Sequence, residues 1–389
     1  MKFAKRMDDY QAGIFQILNE KKIERIQQGL PVYNLSVGTP DFEPPAHVKQ
    51  AFIEACAKSE NYKYSLVDIP ELKEAVINWY QRRYGVTLKE NQFMSVYGSQ
   101  EGITHLTLAL CDHDDIILAP TPCYPIFNMG PELMGAHIEY YELKEENNYL
   151  IDFDHFDLDL AKKAKAMIVS YPANPVGAVA NRGFYERLVQ FAKENDLIII
   201  HDNAYSEIIF DGNEGISFLS IPGAMDVGVE FNSLSKTYNL TGARISFCLG
   251  NEEIIKNFNT VRSQIDYGIF LPVQYGAIAA LNGPQDSVEK QRLDYQARRD
   301  ALCGGCRSIG WNVPDSKGSM FVWARIPERY QDSTDFTMQL LEKTGVIVTP
   351  GGSFGPAGDR YVRMALVQNV ENIKKIIRII DESGLVKDI

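Results

Sequence analysis

Between about residue 91 and residue 250, short apolar runs alternate with longer segments whose apolar residues recur at helical spacing. Seven of the runs have the length of buried strands, and helical segments such as 102–111 and 183–195 separate several of them. This alternation predicts an α/β domain with a mainly parallel seven-stranded sheet sandwiched by helices. The predicted strands are 93–97, 115–119, 137–141, 166–170, 197–202, 228–231 and 245–249.

The segments that flank this unit are organised differently. Residues 10–28 and 47–58 have helical periodicity, and residues 34–38 are predicted to form a short strand that runs into a Pro-rich turn. Strands and helices no longer alternate regularly after residue 281, which predicts a smaller α+β domain. Its predicted elements are a long charged helix at 287–309, strands at 320–325, 346–349 and 361–365, and a closing helix at 370–382.

The length of 389 residues favours two domains over one simple core. We expect residues 1–45 to form an N-terminal arm and part of the small domain. Residues 46–281 then form the large domain and residues 282–389 the small C-terminal domain. A composition of 45% hydrophobic and 23% charged residues is typical of an ordinary globular protein.

The net charge of -12 argues against nucleic acid or an anionic membrane as a partner, because both require a basic face. No apolar run reaches the roughly eighteen residues that a membrane helix needs. The first residues become charged at once, so they lack the apolar core of a signal peptide. These patterns predict a cytoplasmic protein.

Six cysteines occur, mostly in apolar segments, which is typical of reduced core thiols. Cys303 and Cys306 have the spacing of a redox or zinc pair, but no second Cys/His pair lies near them in the sequence. A structural role on a helix is therefore the favoured interpretation, and no metal site is predicted.

The most informative stretch runs from Ser233 to Arg244 and lies between two apolar runs. It brings Lys236 together with hydroxyl groups, a glycine and an arginine. This combination suits a site where an amine forms a Schiff base while neighbouring donors hold a phosphate. A lysine by itself is more often a solvated surface residue, and the surrounding Ser-x-Ser-Lys and Gly-x-Arg pattern is what favours the chemical role.

Other polar residues follow predicted strands, at the sheet edge where α/β proteins bind ligands. Gly98, Ser99 and Gln100 open a helix, where free amides and the helix dipole favour phosphate; an ordinary helix cap is the alternative. Asp202 ends a very apolar strand and needs a cationic partner such as a protonated ring nitrogen. An N-cap or a core salt bridge is the structural alternative for that carboxylate.

Asn174 and Tyr205 can both donate hydrogen bonds to a phenolate oxygen, although the Asn-Pro-x-Gly segment that begins at residue 174 is also typical of a simple turn. Tyr124 lies in a Pro-rich loop and could cover an aromatic cofactor or merely pack. Arg363 is a cation in an apolar strand, so it requires an anion. That anion is either a substrate carboxylate or an Asp or Glu of the chain.

In this order and spacing, these motifs resemble the class I/II aminotransferases, the pyridoxal-phosphate-dependent enzymes that share the aspartate aminotransferase fold (fold type I). The resemblance covers nearly the whole chain, and the joint order of the motifs is far more specific than any one of them. The motifs are Leu-Ser-Val-Gly-Thr-Pro-Asp-Phe at 35–42, Pro-Glu-Leu-Lys-Glu-Ala at 70–75, Gly-Ser-Gln at 98–100, Pro-Cys-Tyr at 122–124, Asn-Pro-Val-Gly at 174–177, Asp-Asn-Ala-Tyr at 202–205, Ser-x-Ser-Lys at 233–236, Arg244 and Arg363.

The resemblance implies a role for each matched residue on the cofactor, pyridoxal 5′-phosphate. Lys236 would form the Schiff base and shuttle the proton, and Asp202 would pair with the ring nitrogen. Asn174 and Tyr205 would bind the ring oxygen, and Tyr124 would stack on the ring. Residues 46–281 would then be the cofactor-binding domain. The phosphate would be held by Gly98, Ser99, Gln100, Ser233, Ser235 and Arg244.

For the substrate, the resemblance implies that Arg363, Asn174 and the backbone of Gly38 grip the α-carboxylate. Tyr64 would reach the phosphate of a partner subunit, which implies a homodimer with shared active sites. Segment 263–270 is similar to that of LL-diaminopimelate and related bacterial aminotransferases, so Phe15 and Tyr267 are expected to line the substrate pocket. Two residues depart from the family pattern, Asp68 at a frequent Gly and Ala243 at a common Trp.

The expected activity is transfer of an amino group from an L-amino acid to a 2-oxo acid by a ping-pong mechanism. A C–S β-lyase of the same fold is the first alternative, because it would use the same cofactor residues. A non-catalytic sensor of cofactor or amino acid is the second. Such regulators usually carry an additional DNA-binding domain, whereas this acidic sequence begins almost directly with the enzyme-like helix.

Overall fold

The seven predicted strands of the central unit form one sheet in the computed structural model, which describes residues 1–5, 7 and 14–387, without the side chains of residues 14 and 15. The order across this sheet is β2-β8-β7-β6-β5-β3-β4. The strands of the described chain are β1 Tyr33–Asn34, β2 Phe93–Val96, β3 Ile116–Thr121, β4 His137–Glu142, β5 Ala164–Ser170, β6 Ile198–Asp202, β7 Gly228–Ser233, β8 Ser246–Gly250, β9 Phe321–Arg325, β10 Val346–Ile347, β11 Thr349–Pro350 and β12 Tyr361–Ala365.

Helices cover both faces of this sheet and also pack around the C-terminal strands. They are α1 Ile14–Gln27, α2 Ala46–Cys56, α3 Pro70–Tyr84, α4 Ser99–Leu110, α5 Ile126–Leu133, α6 Leu158–Lys163, α7 Arg182–Asn195, α8 Ala224–Val227, α9 Leu234–Thr237, α10 Glu252–Arg262, α11 Leu271–Asn282, α12 Asp286–Ser308, α13 Ser333–Thr344 and α14 Val370–Ser383. None of the helices in the described residues is both long and apolar enough to cross a membrane.

The sheet is mainly parallel, as predicted. Strands β3 to β7 pair in parallel with one another, whereas β8 runs antiparallel to both of its neighbours, β2 and β7. In the register of the central strands, Ser170 lies beside Asp202 and Asp202 lies beside Phe231. The parallel direction therefore brings the carboxyl ends of β5, β6 and β7 to one edge, which is where ligands bind in such sheets.

A second group of strands has its own core. Strands β11, β12 and β9 form an antiparallel three-stranded sheet in that order, and β1 pairs in parallel with β10. Their apolar residues pack with α12 and α14. The buried face of α14 includes Ile373, Ile376 and Ile380 at helical spacing. The division of the chain at residues 45 and 281 stays a prediction.

The predicted strand at 34–38 is wrong in its length, because β1 ends at Asn34 and only Leu35 continues the backbone bonds, donating to Ile347 and accepting from Ala365. The Asn34 side chain accepts hydrogen bonds from both the backbone N–H and the hydroxyl of Ser36, which turns the chain away from the ladder. The backbone oxygens of Ser36 and Gly38 accept from Arg363 and Lys236 instead. The segment from Ser36 to Gly38 therefore contributes backbone oxygens to the cavity residues rather than to a sheet.

Candidate active site

A cavity of about 480 Å³ lies at the carboxyl ends of the central strands, where the sheet meets the core of the second group of strands. It brings together most of the residues that the sequence analysis singled out, although they come from segments far apart in the chain. The predicted residues that line it are Gly38, Gly98, Ser99, Gln100, Tyr124, Asn174, Asp202, Tyr205, Ser233, Ser235, Lys236, Arg244 and Arg363.

Lys236 lies on the short helix α9, directly after β7, and its side chain enters the cavity. Its Nζ donates a hydrogen bond to the backbone oxygen of Gly38 at 2.6 Å. Burial lowers the pKa of Lys236 to about 8, and the positive charges of Arg363 and Arg244 act in the same direction. The amine is therefore not a solvated surface group, and its unprotonated fraction at pH 7, about one tenth, is far larger than that of a surface lysine.

Asp202 ends β6 and is 6% exposed. Its Oδ1 has no hydrogen-bond partner, and within the described chain no cation forms a salt bridge with it. Burial raises the pKa of this carboxyl to about 6. The carboxylate therefore forms no core salt bridge, and it is not an N-cap, because no helix begins directly after this residue. A protonated nitrogen of a ligand would offset the cost of a buried carboxylate that lacks a cationic partner.

The N-terminal end of α4 forms the anion-binding end of the cavity. Gly98 precedes the helix with φ 97°, and a Cβ at this position would collide with the guanidinium of Arg244. Arg244 is itself held by the backbone oxygens of Thr241 and Tyr97, each at 3.1 Å. Ser99 contributes a buried hydroxyl without a hydrogen-bond partner. Free amides, a hydroxyl and an arginine fit a phosphate group.

Three further polar side chains line the space between Lys236 and Asp202. Asn174 and Tyr205 are both buried, and burial raises the pKa of the Tyr205 hydroxyl, which keeps it protonated as a donor. The Tyr124 hydroxyl donates to Oε1 of Gln100 at 3.0 Å, which holds the ring at the edge of the cavity. These positions suit contacts with a flat polar ring.

Arg363 extends from β12 into the cavity and is 6% exposed. It donates to Oδ1 of Asn174 and to the backbone oxygen of Ser36, each at 3.0 Å. Its guanidinium lies 4.0 Å from the centre of the Phe321 ring, and burial lowers its pKa to about 10. No described Asp or Glu forms a salt bridge with it, and its Nε has no partner. The cation is therefore available to an anionic substrate.

Two predicted residues, Tyr64 and Tyr267, do not line the cavity. Tyr64 and Tyr267 are exposed, at 80% and 55%, and their ring centres lie 4.9 Å apart. The side chain of Phe15 lies outside the described residues. The sequence analysis also missed Thr39, Thr241 and Phe321, which do line the cavity. Thr241 could have been found within the segment from Ser233 to Arg244, whereas only packing brings Phe321 to this place.

His201 and the cysteine pair at 303 and 306 are buried in the interior. His201 is fully buried, with its ring nitrogens 3.1 Å from Glu230 and from the Tyr185 hydroxyl. It is a satisfied core residue on the opposite face of β6 from Asp202. Cys303 and Cys306 are buried on α12, and burial raises the thiol pKa of Cys303 to about 12. A protonated buried thiol is typical of a structural cysteine.

Comparison with known proteins identifies the family to which this chain belongs. The model of the family "Aminotransferase class I and II" matches residues 31–380, which is most of the chain. The chain belongs to this family. Its cavity thus lies where the motifs used to recognise the family converge, and it contains one lysine among polar and cationic groups.

Named relatives of this aminotransferase cover nearly its whole length. The LL-diaminopimelate aminotransferase of Moorella thermoacetica is 40% identical over 97% of each chain, and that of Aquifex aeolicus is 40% identical over 95% of this chain and 96% of the relative. Among solved structures, substrate-bound BacF from Bacillus subtilis has a TM-score of 0.94 at 35% identity, covering 99% of this chain and 98% of the other. The probable N-succinyldiaminopimelate aminotransferase of Thermus thermophilus has a TM-score of 0.90 at 32% identity, covering 95% and 100%.

These matches confirm the predicted fold and activity class. The chain has the fold type I architecture, and it is an aminotransferase that moves an amino group between an amino acid and a 2-oxo acid. The β-lyase alternative has no support among these named relatives. The sensor alternative is not supported either, because the family and the named relatives are enzymes.

Proposed function

We propose that this aminotransferase uses pyridoxal 5′-phosphate to transfer an amino group from an L-amino acid to a 2-oxo acid in a ping-pong cycle. The observation that carries the proposal is the pairing of two perturbed groups in one cavity. Lys236 has a pKa lowered to about 8, and Asp202 is a buried acid whose Oδ1 lacks a partner. An amine kept reactive and an acid that needs a cation are what this cofactor requires.

The residues present fit the cofactor at each of its polar groups. We assign the phosphate to the amides at the start of α4 with the hydroxyls of Ser99, Ser233 and Ser235, the side chain of Gln100, and Arg244. The remaining assignments follow the polarity of the groups. Asp202 would hold the ring nitrogen in its protonated form, Asn174 and Tyr205 would donate to the ring oxygen, and Tyr124 would cover the ring.

When bound, the cofactor supplies an electron sink for the electron pair that remains when the Cα–H bond of the substrate breaks. The chain supplies orientation and proton transfer. Arg363 binds the α-carboxylate by two parallel hydrogen bonds, supported by Asn174 and the backbone of Gly38, and so fixes the direction of the Cα–H bond. The Nζ of Lys236 then takes the proton from Cα, which its lowered pKa allows near neutral pH.

Replacement of Lys236 tests the proposal. The Lys236→Ala variant should lose transamination and the covalent attachment of pyridoxal phosphate together, as measured by turnover and by mass spectrometry after borohydride reduction. The matched control is Lys290→Ala, because Lys290 is an exposed lysine whose salt bridge with Asp294 is at the surface. Full transamination by Lys236→Ala, or a wild-type chain that retains no pyridoxal phosphate through desalting, contradicts the proposal.

The amino donor is proposed from the relatives. LL-diaminopimelate is the first donor to test, because relatives that are about 40% identical carry that name. Arg244 and Arg363 are the arginines among the described residues that line the cavity, and we assign Arg244 to the cofactor. A dicarboxylate donor would need a further cation, so glutamate and aspartate belong in the same panel. The loss of the cofactor's visible absorbance on addition of each donor ranks them.

We also propose a homodimer in which Tyr64 completes the active site of the partner. The support is an exposed apolar surface that consists of Tyr62, Tyr64, Leu66, Val67, Tyr267 and Phe270. Its rings already pair, Tyr62 with Phe270 at 5.5 Å and Tyr64 with Tyr267 at 4.9 Å, and a patch of this kind is typical of an interface.

Subunit complementation tests the shared site. Lys236→Ala chains mixed with Tyr64→Ala chains should regain activity, because one hybrid site then contains both native side chains. Each variant taken alone through the same mixing procedure is the control. Hybrid dimers that stay as inactive as the parents, or a monomer in sedimentation equilibrium, would exclude the proposal.

A further inference from the structure

Gln291 lies on α12, outside the cavity, and is only 5% exposed. Its side-chain Nε2 donates to the backbone oxygen of Lys236 at 2.8 Å, and its Oε1 accepts from Nδ2 of Asn239 at 2.6 Å. Both ends of this buried amide are therefore satisfied within the protein. The contact with Lys236 is made at the main chain of the lysine, not at its amine.

Asn239 extends this connection to the segment that contains Gly38. Its Nδ2 also donates to the backbone oxygen of Glu43 at 3.2 Å, and its φ of 58° lies in the left-handed region that asparagine tolerates. Glu43 belongs to the same segment as Gly38, whose oxygen accepts from Nζ of Lys236. Hydrogen bonds thus join the main chain of the lysine to residue 43, and the tip of its side chain to residue 38 of the same segment.

The same face of α12 holds this segment at two further points, four and seven residues after Gln291. The ring of Tyr295 packs edge-on against Phe42 at 5.1 Å. Arg298 forms two hydrogen bonds with Asp41, at 2.6 and 3.0 Å. One helix face therefore holds both the lysine main chain and the segment that its amine contacts.

We propose that Gln291 is a positioning residue for transamination, which holds the main chain of Lys236 in register with residues 38–43 so that Nζ reaches the substrate Cα. The inference rests on the role proposed above for Lys236. A lysine side chain has four rotatable bonds, so its tip is placed precisely only when its main chain is held. A displacement of about 1 Å at a reacting atom lowers the rate by up to about 100-fold.

The Gln291→Met variant tests the proposal, because methionine has nearly the same length and volume but forms neither hydrogen bond. We expect kcat to fall roughly tenfold or more, while the KM for the amino donor stays within about twofold, because the Arg363 and Asn174 side chains that bind the carboxylate do not contact Gln291. Proton transfer becomes slower relative to the other steps, so the isotope effect on kcat with an α-deuterated donor should increase.

Gln285→Met is the matched control. Gln285 also uses its amide within the protein, accepting from the Tyr238 hydroxyl at 2.8 Å and donating to the backbone oxygens of Ala280 and Gly283. It makes no contact with Lys236, so kcat and the isotope effect should match the wild type even if the melting temperature falls as much as in Gln291→Met. If Gln291→Met does not fold, Gln291→Asn carries the same expectation, because its shorter amide withdraws from Lys236.

A second readout needs no cofactor. Competitive labelling of amines with acetic anhydride in the cofactor-free protein should show the pKa of Lys236 raised from about 8 in Gln291→Met, because a displaced amine is less buried. Wild-type kcat, isotope effect and labelling profile in a folded Gln291 variant overturn the inference. A wild-type enzyme without cofactor-dependent transamination overturns the proposed function instead, so the two failures are distinguishable.

Discussion

The buried acid at the end of β6 makes a quantitative prediction about stability. Because burial raises the pKa of Asp202 to about 6 from its ordinary 3.8, the folded cofactor-free chain holds the carboxylate at a cost. At about 1.4 kcal/mol per pKa unit, this difference corresponds to about 3 kcal/mol once the group is fully ionised. Asp202→Asn removes the charge and should therefore stabilise the cofactor-free protein at neutral pH.

The sign of the pH dependence follows from proton linkage. Between the unfolded and the folded pKa, the folded chain binds more protons than the unfolded chain, so wild-type stability falls as the pH rises through this range. Asparagine does not titrate. The stability gain of the Asp202→Asn variant should therefore grow from about 1 kcal/mol near pH 4.5 to about 3 kcal/mol near pH 8.

Urea unfolding of both cofactor-free chains at these two pH values measures the effect. Asp115→Asn is the matched control, because the salt bridge with Lys165 at 2.7 Å holds the pKa of Asp115 below its ordinary value. That variant should lose stability at neutral pH rather than gain it. If Asp202→Asn is no more stable than the wild type near pH 8, or if its gain does not change with pH, the interpretation of Asp202 as an unpartnered buried acid is refuted.

The other predictions concern the two ends of the cavity. Arg363→Lys keeps the charge but loses the paired hydrogen bonds, so kcat/KM for the amino donor should fall about 10- to 100-fold while the affinity for pyridoxal phosphate stays unchanged. Steady-state kinetics and equilibrium dialysis measure the two quantities, and an unaltered kcat/KM contradicts the prediction. Gly98→Ala should weaken pyridoxal phosphate binding at least about tenfold, because the φ of 97° at Gly98 and the collision of a Cβ with Arg244 both oppose a side chain. Binding of pyridoxal, which has no phosphate, should change much less. An equal loss of affinity for both ligands counts against a phosphate role of this segment. Labelling of Lys236 in the cofactor-free chain should titrate near pH 8, lowered by burial and by the two arginines, and titration at the value of a surface lysine would be inconsistent with the described cavity.

Much of the fold was predictable because its signals are local. Most strands of the central sheet are short apolar runs between polar segments. The predicted helices from residue 46 onward agree with the observed ones to within a few residues at each end. The prediction failed at 34–38, where Asn34 and Ser36 bond to each other and end the strand early. Side-chain bonds of this kind compete with the ladder and leave little trace in an apolar pattern.

The candidate site was predictable to the extent that motifs stand at the ends of strands. Ser233, Lys236 and Arg244 are neighbours in the chain, so their joint role could be inferred from the local motif alone. Phe321 was missed, because it contacts the cavity only through the packing of distant segments, whereas Thr39 adjoins the predicted Gly38 and could have been included. Gln291 was missed for the same reason, since its partner Lys236 is 55 residues away.

The sequence by itself determined the order of strands and helices, the mainly parallel α/β class, and most of the candidate residues that the cavity brings together. These depend on periodicity and on short motifs, which act over a few residues. Tertiary structure alone decided that Gly38 faces the amine of Lys236 and that Arg363 reaches Asn174, contacts that join residues 198 and 189 positions apart. It also decided the perturbed pKa values, because burial and the approach of other charges exist only after the segments have packed together.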